Sequence, residues 1–192
     1  MDKMMHQQND YDYDYDIKMD GEYHQFEGGA IRYTKTGKGR FDLIPDETLE
    51  FICDYMLNYS NDLPTTVNRL TIINDIASGH IVHAIIGITM MKYGDHHLMN
   101  LADDEVVIDV TEITFDDIMF AFTRMLPDLA VHYEKGAAKY GENNWKKGIP
   151  EESFYDSGFR HTCQYLNGAK DEPHHISAIW NFFCLLWVQD NL

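Results

Sequence analysis

The chain has 192 residues, 44% hydrophobic and 13% aromatic, enough for one domain with a sizeable core and no need of disulfide staples. Its 15 basic and 32 acidic residues leave a formal net charge of −17, which opposes general phosphate-backbone binding, because Lys and Arg drive that binding. An anionic small molecule is compatible with this field only where local Lys, Arg, His or a metal ion overcomes it, and a divalent cation suits it.

Residues 1–27 are polar and acidic and read as a mobile tail, since they contain almost nothing to bury. The run Tyr11–Asp16 (YDYDYD) has strand period, so a strand that adds to a basic partner is the alternative there. The segment GGAIRYTKTGKGRFDLIP carries Arg32, Lys35, Lys38 and Arg40 among glycines, the densest basic cluster of the chain. It lacks the GxxxxGK[ST] spacing and follows no apolar strand, so a P-loop is not supported.

Pro45 followed by acids, with Leu49, Ile52, Cys53 and Met56 at helical spacing, predicts a helix start. After a turn at 61–64, residues 65–93 carry a long apolar helical pattern with a break near Ser78-Gly79. Residues 94–114 read as a loop with a short strand at 105–110. A helical pattern resumes at Phe115 and runs to about Tyr140, with Pro127 either kinking it or starting a second helix, and Gly141 stops it. Helices at 151–167 and 173–190 follow Pro150 and Pro173. The expected fold is all-α, a bundle with short connections. A further echo pairs Met91–His97 with Ala138–Asn144, each a Lys-Tyr-Gly helix ending.

Cys53, Cys163 and Cys184 are widely spaced without a CxxC pair, which indicates neither a disulfide framework nor a zinc ribbon and fits a reducing cytoplasm. The apolar stretch 176–188 is interrupted by Ser177 and Asn181 and is shorter than the ~20 residues that span a bilayer, and no secretory signal is expected at the N-terminus.

Polar residues able to do chemistry concentrate in the C-terminal half: His132, Glu134, Lys135, Lys139, Asn143, Asn144 and Trp145, then Asp156, Arg160 and His161, then Asp171, Glu172, His174 and His175. Glu152, Asp156 and Arg160 share a helix face, either as a salt-bridge ladder or as oxygen ligands for Mg²⁺ beside an arginine fork for phosphate. His80 and His83 give an HxxH spacing without the HExxH pattern, so a zinc protease is not supported. The cysteines read as small buried hydrophobes.

Three of these segments together, GAIRYTKTGKGRFDLIP, AAKYGENNWKKGIP and FRHTCQYLNGAKDEPHHISAIWN, resemble the phage and bacterial family of dATP/dGTP diphosphohydrolase N-terminal domains. The resemblance covers about 28–46 and 128–187, so residues 28–192 are expected to form one helical domain with a long insertion at about 47–127. It implies a fold similar to the all-α nucleoside triphosphate pyrophosphohydrolases, release of pyrophosphate from a purine deoxynucleotide, a divalent metal, and a homo-oligomer. Residues carried over by motif are Arg40 and Asp42; Lys139, Tyr140, Asn144 and Trp145; and Arg160, His161, His174, Trp180 and Asn181.

The resulting expectation is a cytoplasmic, phage-encoded hydrolase in which Glu134, Asp156, Asp171 and Glu172 supply carboxylates for Mg²⁺ or Mn²⁺. Arg160, Lys139 and the basic loop would bind phosphates, Trp145 or Tyr140 would stack on the base, and His161 or His174 would act as general base. The rivals are a non-catalytic protein that sequesters a nucleotide, and an acidic interaction protein whose tail occupies a basic partner.

Overall fold

The computed structural model describes residues 23–25, 27–33, 37–58, 66–94, 99–102, 105–109 and 113–191. The Tyr11–Asp16 run lies outside them. The chain divides into two compact units, 1–34 and 35–192. In the first, strands β1 (Tyr23–Gln25) and β2 (Ile31–Tyr33) pair antiparallel, with Gln25 opposite Ile31.

The second unit is built from helices: α1 (Asp46–Asn58), α2 (Arg69–Ala77), α3 (Ile81–Tyr93), α4 (Phe115–Tyr140), α5 (Glu151–Leu166) and α6 (His174–Asn191). A small antiparallel sheet accompanies them, with β5 (Glu105–Asp109) between β3 (Thr66–Val67) and β4 (Met99–Ala102). The strand expected at 105–110 is therefore present. Its partners were illegible because a two-residue strand carries no period and 99–102 reads as loop.

Burial explains which helices are central. Every residue of α3 from Ile81 to Met90 is buried, and α6 buries Ile179, Phe182, Phe183 and Leu185 among others; a helix apolar on all sides needs neighbours on all sides. Helices α1 and α2 add Ile52, Met56, Ile72 and Ile76 to the core, and α4 adds Met125 and Leu129. The long pattern at 65–93 does break, at Ser78–His80, where Gly79 takes φ +79° and the His80 amide bonds the Asp75 carbonyl at 2.8 Å. Helix α4 instead runs unbroken through Pro127. The residue that loses its amide donor, Thr123, is exposed to water, while Met125 and Leu129 bury on either side, so packing outweighs the ~3 kcal/mol cost of an interior proline. Reciprocal capping boxes, Asn68 with Thr71 and Thr114 with Asp117, fix the starts of α2 and α4.

Helices α5 and α6 form a close antiparallel pair. A Cβ on Gly158 would overlap the Phe182 ring, so only glycine at that position lets the two backbones approach this closely. Gly168, at φ +76°, ends α5 in the left-handed conformation that a glycine reaches without strain.

Candidate functional site

The turn between α5 and α6 brings His161, on the last part of α5, against His174, the first residue of α6. Their Nδ1 atoms lie 3.0 Å apart, and Oε1 of Glu172 lies 3.1 Å from the first and 3.2 Å from the second. The His174 side chain is 1% exposed and that of His161 11%, whereas Glu172 is 46% exposed, so the cluster is buried on its histidine side and open at its carboxylate. Asp171 accepts a bond from Nε2 of His174 at 2.9 Å, which holds the Asp171 carboxyl below its usual range. Arg160 Nη2 donates to Nε2 of His161 at 3.3 Å. Burial, followed by the Arg160 charge, pushes the His161 pKa down and favours its neutral form.

These partners fix the tautomers. With Nε2 of His174 donating to Asp171, a neutral His174 has a lone pair at Nδ1; with Nε2 of His161 accepting from Arg160, the proton of His161 sits on Nδ1. That single proton serves a space into which His174 Nδ1 and Glu172 Oε1 also point lone pairs. A cation in that space relieves the repulsion. Bonds of ~2.1 Å at ~90–109° set donors roughly 3.0–3.4 Å apart, the separations found here. The Asp171–His174 contact has the form of the outer carboxylate that orients a metal-bound imidazole. Metal ligation at Nδ1 of His161 moves its proton to Nε2, so Arg160 must then turn away.

A second group, Asp75, His80 and His83, also offers three donor atoms within 4.8 Å of one another, at the α2–α3 corner. It is looser: Oδ1 of Asp75 and Nδ1 of His83 are 3.9 Å apart, and Nε2 of His83 is hydrogen-bonded to the Tyr55 hydroxyl at 2.8 Å.

Beside the first cluster is a pocket of about 290 Å³ whose walls include His132, Tyr133, Tyr140, Asn144, Trp145 and Trp180. Four residues that the motifs pointed to, Tyr140, Asn144, Trp145 and Trp180, are thus brought to one cavity. His132 stacks obliquely on Trp180 with ring centroids 5.6 Å apart. Burial, then Lys135 and His161, push the His132 pKa down to about 4, with Glu172 opposing. His132 therefore lies within electrostatic reach of the cluster while forming part of the pocket wall. A second cavity of about 280 Å³ shares His132 and reaches Lys92, Lys135, Pro173 and His175.

Other expected site residues lie elsewhere. The two carboxylate oxygens of Glu134 accept bonds from the Gly37 and Gly39 amides at 2.8 and 2.9 Å. Gly39, at φ +83°, rests so close on Ala130 that a Cβ would collide with it. The glycine loop thus encloses a carboxylate of its own chain where the sequence suggested a phosphate. Arg40 is engaged by Asp42 at 2.6 Å and Glu142 at 2.8 Å. Asp156 is exposed on α5 and, like Glu134, belongs to neither group of three metal-type donors among the described residues. Lys139 lies over the Tyr140 ring at 4.7 Å, and Asn181 is buried with its amide donating to the Ser177 carbonyl at 2.8 Å. Sequence reasoning noted His132 and Lys135 in a dense polar stretch without giving them a role. Nothing in sequence order linked Lys92 to either.

Fold and site together define a helical protein that sets two histidines and a carboxylate beside an aromatic pocket. Residues 108–192, which include α4, α5 and α6, match the family described as dATP/dGTP diphosphohydrolase, N-terminal. This is the family that the motifs resemble, and the match contains the second and third of them; the GKGR segment lies outside it. Among curated proteins and among solved structures, none matches the chain. Among the described residues, no helix is long and apolar enough to cross a membrane.

Proposed function

We propose that this protein is a metal-dependent hydrolase that cleaves purine deoxynucleoside triphosphates to monophosphate and pyrophosphate. The observation that carries the proposal is the His161–Glu172–His174 cluster, whose three donor atoms stand at the 3.0–3.2 Å spacing that suits a divalent cation, next to the aromatic pocket. The family match over 108–192 supports the nucleotide chemistry. Two imidazoles and one carboxylate favour Mn²⁺ over Mg²⁺, which prefers an all-oxygen shell. When bound, the metal supplies charge neutralisation on the phosphates and a more acidic water.

The chain's own residues do the rest. Trp180, Trp145 and Tyr140 offer aromatic surface to a purine, and a cavity of about 290 Å³, at the low end of small-molecule sites, suits a base better than a whole nucleotide. Glu172, exposed at the mouth of the cluster, leaves the solvent side open for water and phosphate. Asp171 holds the His174 ring in its tautomer. His161 and His174, as ligands, are not free to act as bases. His132 is neutral at pH 7 and faces the pocket, so it is the imidazole left to accept a proton. Three free cysteines suit a cytoplasmic setting.

The test is incubation with a panel of ribo- and deoxynucleoside triphosphates with Mn²⁺, Mg²⁺ or EDTA, with products separated by ion exchange. Monophosphate plus pyrophosphate from a purine deoxynucleotide, fastest with Mn²⁺ and abolished by EDTA, is expected. Retention of one nucleotide without turnover would overturn the hydrolase in favour of a binding protein.

A further inference from the structure

The cavity of about 280 Å³ that shares His132 with the aromatic pocket is lined from three helices: Lys92 at the end of α3, Asp128 and Lys135 on α4, and His175 on α6 with Pro173 just before it. We infer that it is a subsite for a polyphosphate chain, held by the ammonium groups of Lys92 and Lys135. The assignment of that chain to a nucleotide rests on the proposed function; the subsite itself rests on the cavity.

Four observations converge. First, Lys92 and Lys135 make no ion pair among the described residues, in a chain where acidic residues outnumber basic ones 32 to 15. Two unpaired ammoniums from different helices at one concavity are what a multivalent anion requires. Second, the cavity wall carries one carboxylate against these two ammoniums: Asp128, which accepts a bond from the Tyr93 hydroxyl at 2.6 Å, while Tyr93 is in turn bonded to His175 Nε2 at 3.2 Å. Third, His132 and His175 set two imidazole rings in the same wall, where ring nitrogens can reach phosphate oxygens beside the lysines. Fourth, the positive end of α6 opens on the same cavity, and its second residue, His175, lines it.

The position completes an arrangement. His132 forms part of both cavities, and Pro173 and His175 of this one flank His174 of the metal-type cluster. A ligand with its base against Trp180 can therefore pass His132 and extend its phosphates toward the two lysines, alongside the cluster. Flexible lysines hold such a chain as point charges without demanding one geometry. Lys92 lies outside the stretch that matches the family, so on this reading the chain's own insertion contributes to the site.

The experiment is calorimetric titration of inorganic tripolyphosphate, of a purine deoxynucleoside triphosphate and of the corresponding nucleoside into the full chain, K92A, K135A, the double variant, and K147A as a control outside both cavities. Tripolyphosphate and nucleotide affinity are expected to fall roughly tenfold for each lysine removed. Nucleoside affinity and all K147A values stay unchanged. The lysine-dependent part should fade as salt rises from 50 to about 300 mM. Lysine-dependent tripolyphosphate binding without any turnover would uphold the subsite while removing the hydrolase. Turnover with KM unaltered in the double variant, or no tripolyphosphate or nucleotide binding by the unmodified protein, would overturn the subsite.

Discussion

The two histidine–carboxylate groups use the same residue types and differ in what surrounds them. In His161–Glu172–His174 three donor atoms stand 3.0–3.2 Å apart, an outer carboxylate fixes one ring, and cavities open alongside. In Asp75–His80–His83 the closest charged pair is 3.9 Å apart, His83 is bound to Tyr55, and none of the three lines either cavity described above. Donor chemistry by itself does not make a centre. Close spacing of the donor atoms, with an open side for a ligand, separates the first group from a corner that packs a buried acid against imidazoles.

Removing a donor from each group should separate them most strongly. His174→Ala should lower Mn²⁺ affinity by more than about 100-fold and abolish turnover, whereas His83→Gln should change neither by more than about twofold. Calorimetry with Mn²⁺ and the product assay measure both, and a larger loss in the His83 variant would reverse the assignment. Asp171→Asn should cost about 10–100-fold in Mn²⁺ affinity, because it frees the tautomer of His174 without removing a donor.

His132 has a folded pKa of about 4 against an ordinary 6.5, so between those values the unfolded chain takes up a proton that the folded one refuses. Its contribution is complete above pH 6.5, falls as pH drops toward 4, and amounts to about 3 kcal/mol at most at 1.36 kcal/mol per unit. Urea unfolding of His132→Gln at pH 7, 5.5 and 4.5 should give a shallower dependence than the unmodified chain; equal slopes would refute it. Gly158→Ala, which drives a methyl into Phe182 and pushes α5 from α6, should cost about 1–3 kcal/mol and weaken Mn²⁺ binding at the first group.

The last and smallest effect has the opposite sign. Burial raises the Asp75 pKa despite His83 and His80, so the folded chain holds that proton to higher pH and loses stability as pH rises through the shifted value. Asp75→Asn should therefore stabilise the protein at pH 7 and leave it unchanged at pH 3, as judged by thermal melts. A melting temperature lowered at pH 7 would show that the carboxylate makes a favourable contact there.

Elements governed by local signals were legible from sequence. Pro45, Pro150 and Pro173 mark helix starts within a residue or two, and Gly79 and Gly141 mark stops. At Pro127 the sequence left open a kink in one helix or the start of a second, and burial at Met125 and Leu129, which sequence order does not display, keeps a single helix. On the proposed reading the three donors were named in the sequence under other roles: His161 and His174 as bases, Glu172 among four candidate carboxylates. A base and a ligand use the same lone pair, so residue type alone favours neither role, and the meeting of the three side chains is visible only in the fold.

Periodicity, end signals and contiguous motifs were enough to carry the helical class, the family that residues 108–192 match, and Tyr140, Trp145 and Trp180 of the pocket. Tertiary structure decided that Glu134 closes a glycine loop, that Arg40 pairs with Asp42 and Glu142, and that His161, Glu172 and His174 meet. It also decided that Lys92 and Lys135 share a cavity, since contact between side chains of separate helices is set by how those helices pack.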